Sequence, residues 1–189
     1  MKYIFSFLLV VLVISARAQD EGEQKGFRKD KLFVGGNFGV SIGDYTLINV
    51  SPQVGYRFSK LFAAGIGLNG QYISDKQRDY YGNPYYKTSQ GIIGLNVFGR
   101  IYPFQYLMLQ VQPEANYRFG KIRFYDNTSP QTTKLDAVIV PSILAGGGLV
   151  LPSGNGAFIA SVFYDVLQDV NSPYGKKAFL NFGYNISLR

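Results

Sequence analysis

Polar and apolar side chains alternate along most of the chain, with the period of two residues that is typical of β-strands. In most of these runs one row is aliphatic or aromatic, whereas the opposite row holds Gly, Ser, Asn and Gln. Clusters of turn-forming residues separate the runs, and each run is long enough to cross a bilayer as a tilted strand. We therefore predict eight strands, over residues 33–42, 48–58, 61–73, 91–102, 106–119, 137–151, 158–166 and 180–189.

The sixth run is apolar on both rows, so alternation alone leaves its phase open. We expect its outward row to consist of Ile139, Ile143, Ala145, Leu149 and Leu151. The same run contains three consecutive glycines, Gly146 to Gly148. Because they lie within a strand pattern and lead into no helix, we do not expect a phosphate-binding loop there.

The position of the charges distinguishes a soluble sheet from a membrane barrel. A soluble sheet buries its apolar row, whereas here the few charges within the runs all fall on the polar row: Arg57, Arg100, Glu114, Arg118, Asp165 and Arg189. A Lys or Arg on a lipid-facing row costs about 2–4 kcal/mol at the bilayer midplane, which would explain an apolar row without charges. The pattern therefore predicts an all-β fold, an eight-stranded antiparallel up-and-down transmembrane β-barrel with a narrow polar interior. The alternative is a secreted soluble barrel of the lipocalin type, whose apolar row points inward to a ligand.

Long and short connections alternate from the third strand onward, as they do in transmembrane barrels. Residues 74–87, 120–136 and 167–178 are the long connections, and residues 59–60, 102–105 and 152–156 are the short turns. Since short turns of such barrels face the periplasm, we predict a periplasmic N-terminus and location in a bacterial outer membrane. Pro113 and Pro141 lie equally far from Asn127, so we expect them near one another across the fifth and sixth strands, at a bulge or widened rung.

The first 18 residues have the organisation of a secretory signal peptide. A basic start precedes the apolar stretch from Tyr3 to Ile14, and the sequence Ala16-Arg17-Ala18 is a small-residue cleavage site. The apolar stretch is too short to span a bilayer comfortably as a helix. We therefore predict a signal peptide over residues 1–18, a charged flexible periplasmic arm over residues 19–31, and one barrel domain over residues 32–189.

Composition narrows the chemistry, because the 189 residues include no Cys and no His. Disulfides, thiolate or imidazole metal sites, and Ser-His-Asp or Cys-His catalysis are thereby excluded. The net charge of +7 is dispersed along the chain and is not gathered in a patch suited to nucleic acid. We expect no enzymatic activity, no cofactor, no metal and no nucleic-acid partner.

The first group of candidate functional residues is the set of charges that the predicted barrel brings into its interior: Arg57, Arg100, Glu114, Arg118 and Asp165. Buried charges persist only when they are paired and hydrogen-bonded, so we expect arginines and carboxylates to meet there. Such pairs either plug and specify the interior or gate a pore.

The second group lies in the predicted extracellular loops: Tyr80, Tyr81, Tyr85, Tyr86, Arg123, Phe124 and Tyr125. Aromatic side chains supply rigid contact area at low entropic cost, so this group is suited to contact with a ligand or a surface. The alternatives are an interfacial aromatic girdle for the tyrosines and a mobile solvated loop over residues 121–136.

Over residues 32–189 the pattern resembles the small outer-membrane β-barrel proteins of diderm bacteria, of the OmpA-transmembrane-domain and OmpX-like kind, which are porin-family eight-stranded barrels. The closing strand, LNFGYNISLR over residues 180–189, is similar to the C-terminal assembly signal of that family but ends in Arg instead of an aromatic residue. The resemblance implies insertion by the outer-membrane assembly machinery and contact with outer-membrane lipid and lipopolysaccharide. Barrel enzymes of this membrane rely on His, which is absent here.

The expected function is therefore structural or interactive. The barrel anchors in the outer membrane and presents its Tyr-rich loops to an extracellular protein or another surface ligand, while polar side chains fill the lumen. The alternative function is a narrow pore for small solutes or ions.

Overall fold

The computed structural model describes residues 28–125 and 131–188, which form a closed antiparallel β-barrel. Its strands are β1 (Leu32–Ser41), β2 (Tyr45–Arg57), β3 (Phe62–Arg78), β4 (Pro84–Phe104), β5 (Leu107–Phe124), β6 (Gln131–Ser153), β7 (Gly156–Asp165) and β8 (Phe179–Ser187). Each strand pairs with the next, and β8 pairs with β1 to close the ring. The predicted all-β, eight-stranded, up-and-down barrel is confirmed.

The predicted signal peptide and residues 19–27 of the predicted arm lie outside the described residues, as do Asn127 and Arg189. The last residues of the arm, Lys29–Lys31, form one turn of 3-10 helix. Arg28 forms an ion pair with Asp30 beside this turn, with Nη2 and Oδ2 2.6 Å apart. Within the described ranges, no helix combines the length and the apolar character that crossing a membrane requires.

The register of the strands keeps the two rows of side chains on opposite walls. Cross-strand partners on the outer wall of β1–β4 include Val34, Val54, Ile66 and Val97. Partners on the inner wall of β1–β6 include Gly35, Gln53, Gly67, Asn96, Glu114 and Ser142. A slip of one residue would move the apolar row from the outer wall to the inner wall. The alternation of the sequence is therefore compatible with this register and not with one shifted by a single residue.

Aliphatic and aromatic side chains cover the outside of the barrel, and polar side chains fill the middle of its interior. On the outside, Leu95 is 65% exposed and Ile139 is 70% exposed. The buried polar residues of the interior include Gln53, Asn69, Asn96, Gln110, Gln112 and Asn116. The lipocalin-type alternative is therefore wrong, because the apolar row points away from the interior. The expected outward phase of the sixth strand is confirmed by the exposure of Ile139, Leu149 and Leu151.

Strands β3 to β6 are longer than alternation predicts, and much of the predicted loops at residues 74–87 and 120–136 is strand. These segments carry many charged and polar residues next to turn-forming ones, so they are assigned to loops by sequence, and pairing with the neighbouring strand extends the strands into them. Only residues 79–83 remain as the turn between β3 and β4. Asp79 Oδ1 accepts hydrogen bonds from the backbone N–H groups of Tyr81 and Asn83, at 2.9 and 2.8 Å. Gly82 adopts a φ of 85°, which favours glycine at this turn.

Pro113 and Pro141 lie close together on the outer wall, as expected. Pro141 is the cross-strand partner of Ala115, two residues from Pro113. The expected irregularity is not between β5 and β6, whose register is unbroken at this point. Pro113 instead interrupts the ladder between β4 and β5 opposite Val97 and Phe98, because proline has no N–H to donate.

Strands β2, β4 and β6 end at one end of the barrel, here called the short-turn end, and β1, β3, β5 and β7 end at the opposite end, here called the long-hairpin end. Apolar side chains close the interior near the short-turn end: Phe33, Ala63, Phe98, Tyr102, Met108, Val150 and Ile159. Gly65 is necessary for this packing, since a Cβ at that position would lie 2.4 Å from Phe98 Cζ. Beyond this apolar layer, a cavity of about 730 Å³ opens at the short-turn end, with Arg57 and Tyr102 in its wall.

Candidate functional site

Glu114 is the centre of a hydrogen-bonded network inside the barrel. It lies on the inner row of β5 and is only 6% exposed. Its Oε1 accepts a hydrogen bond from Gln112 Nε2 at 2.6 Å. Its Oε2 accepts hydrogen bonds from Asn116 Nδ2 at 2.9 Å and from the hydroxyl of Tyr174 at 2.7 Å. Both carboxylate oxygens are thereby satisfied, as a buried charge requires.

Arg100 of β4 is the buried cation of the interior, with an exposure of 2%. Its Nε donates to Gln110 Oε1 at 2.6 Å, and its Nη2 donates to Gln53 Oε1 at 2.8 Å. The guanidinium carbon also lies 4.3 Å from the ring centroid of Phe98 and 5.6 Å from that of Phe33. Amide oxygens and aromatic faces therefore replace water around this charge.

Two glutamines connect Arg100 to Glu114. Gln110 accepts from Arg100 and donates to Gln112, and Gln112 donates to Glu114. Each amide oxygen thus points towards the cation and each amide nitrogen towards the anion, so the amide dipoles are aligned between the two charges. Strand β5 produces this arrangement directly, because residues 110, 112 and 114 lie on one face of it.

Three asparagines from three strands form a second branch of the network. Asn116 donates to Glu114, Asn69 donates to Asn116 Oδ1 at 3.1 Å, and Asn96 donates to Asn69 Oδ1 at 2.7 Å. Gly94 makes room for this branch, since a Cβ there would lie 2.1 Å from Asn116 Oδ1. Among the described residues, Asn96 Oδ1 and Ser142 Oγ are buried side-chain atoms without a hydrogen-bond partner.

The loop between β7 and β8, residues 166–178, folds over the long-hairpin end of the interior and is held there at three points. Asp165, which is fully buried, accepts hydrogen bonds from Ser172 Oγ at 2.6 Å and from the backbone N–H of Leu167 at 3.1 Å. Arg118 Nη2 donates to Asn171 Oδ1 at 2.7 Å. Tyr174 reaches Glu114 and stacks its ring on Phe179, with centroids 4.7 Å apart and planes 9° apart. The loop is therefore continuous with the interior network.

The charged residues predicted to meet inside the barrel are placed differently from the expected ion pairs. Over the two described ranges, no ion pair joins an arginine of this set to Glu114 or Asp165. Arg100 reaches Glu114 only through amides, and Arg118 binds the loop. Arg57 lies exposed at the short-turn end, with its guanidinium carbon 4.7 Å from the ring centroid of Tyr102. The amide-rich inner row explains the difference, because Gln and Asn lie between the charges.

Half of the six aromatic residues predicted to lie in loops belong to the extended strands. Tyr85 and Tyr86 follow Pro84 at the start of β4, and Phe124 ends β5 as the cross-strand partner of Tyr86, with ring centroids 6.2 Å apart. The backbone N–H of Tyr125 donates to Tyr85 O at 3.0 Å, and Arg123 lies 5.3 Å from the ring centroid of Tyr125. We call these five residues the aromatic cluster. Residues of two predicted loops thus meet at the long-hairpin end, with Tyr86 and Phe124 on the inner row and Arg123 on the outer row.

Tyr80 and Tyr81 lie apart from the aromatic cluster, in the turn between β3 and β4. Their rings meet edge to face with centroids 5.6 Å apart. Tyr80 is 97% exposed and Tyr81 is 85% exposed. The two tyrosines therefore protrude from the tip of the hairpin, where they contact mainly each other.

Several residues of the network were not singled out from the sequence. Gln110, Gln112 and Asn116 fall on the polar row of the run over residues 106–119, but no motif distinguishes their amides from the other polar side chains of that row. Tyr174 gave no signal at all, because it lies in an irregular loop whose path depends on the closed barrel. In the part of the chain that the structure describes, no group of three or more Asp, Glu, His or Cys side chains is arranged to hold a metal ion.

The fold and the network define a class of protein: a closed eight-stranded barrel with an apolar outer wall and a polar interior that is occupied by its own side chains and one loop. No protein-family model and no curated protein matches the chain. Among solved structures, the crystal structure of Neisserial surface protein A (NspA) is similar, with a TM-score of 0.41 and 12% sequence identity. The match covers 83% of this chain and 97% of that chain.

Proposed function

We propose that the protein is an integral outer-membrane β-barrel whose role is structural and interactive. The observation that carries this proposal is the outer wall, where aliphatic and aromatic side chains face outward on every strand. A water-soluble protein rarely exposes such a continuous apolar surface, whereas lipid requires one. Closure of the sheet supports the same conclusion, because a barrel leaves no unpaired strand edge in hydrocarbon.

The filled interior supports an anchoring role over transport or catalysis. The apolar layer near the short-turn end, the network around Glu114 and the loop of residues 166–178 succeed one another along the barrel axis. Glu114 and Asp165 are both occupied by hydrogen-bond donors of the protein itself. We therefore propose a non-enzymatic protein in which the interior residues specify the barrel and hold the loop in place.

In this proposal the long-hairpin end faces outside and the short-turn end faces the periplasm, as in other transmembrane barrels. The aromatic cluster and the tip tyrosines Tyr80 and Tyr81 then form the exposed surface, and the partner is an extracellular protein or another surface ligand. The signal peptide of residues 1–18 directs export, and the outer-membrane assembly machinery inserts the barrel.

Two measurements on the refolded chain without residues 1–18 test membrane insertion. We expect folded and boiled samples to migrate differently in detergent gels, and we expect the folded protein to float with phosphatidylcholine vesicles in a density gradient. The matched control is the variant Leu95→Lys and Ile139→Lys, which places two cations on the lipid-facing wall. It should lose flotation while the wild type retains it. Wild-type protein that stays soluble without detergent and does not float would disprove the proposal.

A narrow pore is the second candidate, and the cavity of about 730 Å³ at the short-turn end favours it. Planar-bilayer recording separates the two functions. The filled interior predicts that the wild-type barrel shows no steady single-channel conductance. Steady conductance that is lost when Tyr102 and Met108 are replaced by larger or branched residues would establish the pore instead.

A further inference from the structure

The outer wall changes from apolar to basic at the long-hairpin end of β3–β6. Tyr72, Gly91 and Phe119 lie side by side in the last apolar row. The next two rows towards the hairpin tips consist of cross-strand partners: first Ser74, Ser89, Lys121 and Lys134, then Lys76, Lys87, Arg123 and Thr132. We call Lys76, Lys87, Lys121, Arg123 and Lys134 the basic band.

The cations of the basic band are placed directly against one another. The cross-strand pairs of like charge are Lys76 with Lys87, Lys87 with Arg123, and Lys121 with Lys134. Like charges in such positions repel and destabilise the sheet. In the described part of the chain, no carboxylate forms an ion pair with any member of the band.

Two acidic residues next to Lys76, Asp44 and Asp75, have other side-chain partners. Asp44 forms an ion pair with Arg78, with Nη2 and Oδ1 2.9 Å apart, and Asp75 Oδ2 accepts from Gln77 Nε2 at 2.9 Å. Within the described ranges, the basic band therefore concentrates five cations, none of which forms an ion pair with a carboxylate.

A groove of about 760 Å³ lies directly below the basic band on the outer wall. Its sides include Ile48, Ile93 and Phe119, its floor includes Gly70 and Gly91, and Lys121 and Lys134 lie at its rim. The hydroxyl of Tyr72 faces Ser74 and Ser89, with Lys87 and Lys121 close by. Apolar surface, hydroxyl groups and cations thus follow one another along the barrel axis.

We propose that this groove and the basic band bind one anionic lipid of the surrounding leaflet. Its acyl chain lies in the groove, and its phosphate group contacts Lys87, Lys121 and Lys134. The order along the axis matches that of a membrane lipid, in which the phosphate lies just above the hydrocarbon. Each lysine near an anionic headgroup contributes favourable electrostatic energy, and Lys is a common phosphate ligand. The inference rests on the membrane insertion proposed above.

Native mass spectrometry of the refolded barrel in neutral detergent tests this site. The two probes are phosphatidylglycerol and phosphatidylcholine with identical acyl chains, so that only the headgroup charge differs. We expect about tenfold higher occupancy by phosphatidylglycerol, and we expect the variant Lys87→Gln, Lys121→Gln and Lys134→Gln to remove that preference. The matched control is Lys60→Gln, Lys176→Gln and Lys177→Gln, which removes the same charge elsewhere and should retain the preference.

Two further experiments test the groove and the phosphate contact separately. Gly70→Leu fills the groove without changing charge, so it should lower occupancy by both lipids. Equimolar inorganic phosphate should leave the bound lipid in place, and its displacement by phosphate would indicate a free-anion site and overturn the lipid assignment. Equal occupancy by the two lipids, or equal loss in the two lysine variants, would also overturn it. Heat-modifiable migration of each variant shows that the barrel itself is formed, so failure of this inference is distinct from failure of membrane insertion.

Discussion

The hydroxyl of Tyr174 donates a hydrogen bond of 2.7 Å to Glu114, which lies 60 residues earlier in the chain. This contact joins the loop of residues 166–178 to the network that runs from Arg100 through Gln110 and Gln112. The loop is therefore held by the interior of the barrel, and the interior is covered by the loop. We therefore expect substitutions at this contact to change both how often the loop opens and the stability of the interior network.

Tyr174→Phe removes the hydrogen bond to Glu114 but keeps the ring that stacks on Phe179. A hydrogen bond to a charged group contributes about 1.5–3 kcal/mol, so we expect the loop to open at least tenfold more often. Limited trypsin digestion at Lys176 and Lys177 should accelerate by that factor in the folded, membrane-inserted protein. Tyr81→Phe, at an exposed turn position, is the control and should leave the rate unchanged. Equal rates in all three proteins would show that the contact does not hold the loop.

Glu114→Gln leaves the buried Arg100 without its compensating charge and places an amide among groups that already donate. Removing one partner of a buried charge pair costs about 3–5 kcal/mol, and we expect a loss towards the lower end because two glutamines intervene. Urea unfolding of the barrel in vesicles measures the change. Arg57→Gln is the comparison, because this exposed residue only stacks on Tyr102 and its loss should cost less than about 1 kcal/mol. Similar stabilities of the two variants would contradict a central role for the network.

Gly94→Ala should destabilise the barrel because the new Cβ would lie 2.1 Å from Asn116 Oδ1. Asn116 must then move away from Glu114 or Asn69, at a cost of about 1–3 kcal/mol. Gly99→Ala on the same strand is the matched control, since no atom lies within 4 Å of the added Cβ. Heat-modifiable migration at increasing temperature compares the two. A lower transition temperature for Gly99→Ala than for Gly94→Ala would argue against the packing of the asparagine branch.

The hydrogen bonds and charge of Arg78 lower the pKa of Asp44 from its ordinary value of 3.8. The contact therefore stabilises the hairpins above pH 3.8, and this contribution is lost as the pH falls through the lowered pKa of the folded state. NMR titration of the Asp44 carboxyl carbon should give a midpoint below 3.8 in the wild type. The midpoint should rise in Arg78→Gln and stay low in Lys176→Gln. A wild-type midpoint at or above 3.8 would show that the ion pair is not formed in solution.

The strands, their inward and outward rows and the closed barrel were predictable from the sequence because the period of two residues is local information. Where charged and polar residues dominate, as between Ser74 and Arg78, or flank a turn-forming stretch, as between Lys121 and Phe124, the sequence predicts loops where the chain forms strands. In these segments pairing with the adjacent strand, not the sequence pattern, determines the structure. The aromatic cluster therefore had to be found in the tertiary structure.

The sequence by itself determined which wall the residues of the predicted runs 91–102 and 106–119 occupy, and hence that Arg100 and Glu114 share one interior. It did not determine what lies between them. The register of β4 against β5 places Gln110 opposite Arg100, so that Gln110 and Gln112 lie between the two charges, and the path of the last loop brings Tyr174 onto Glu114. The register of β3 to β6 also aligns their lysines in neighbouring rows. Such contacts depend on register and on loop path, which are set by many distant pairings at once and leave no signal within a single segment.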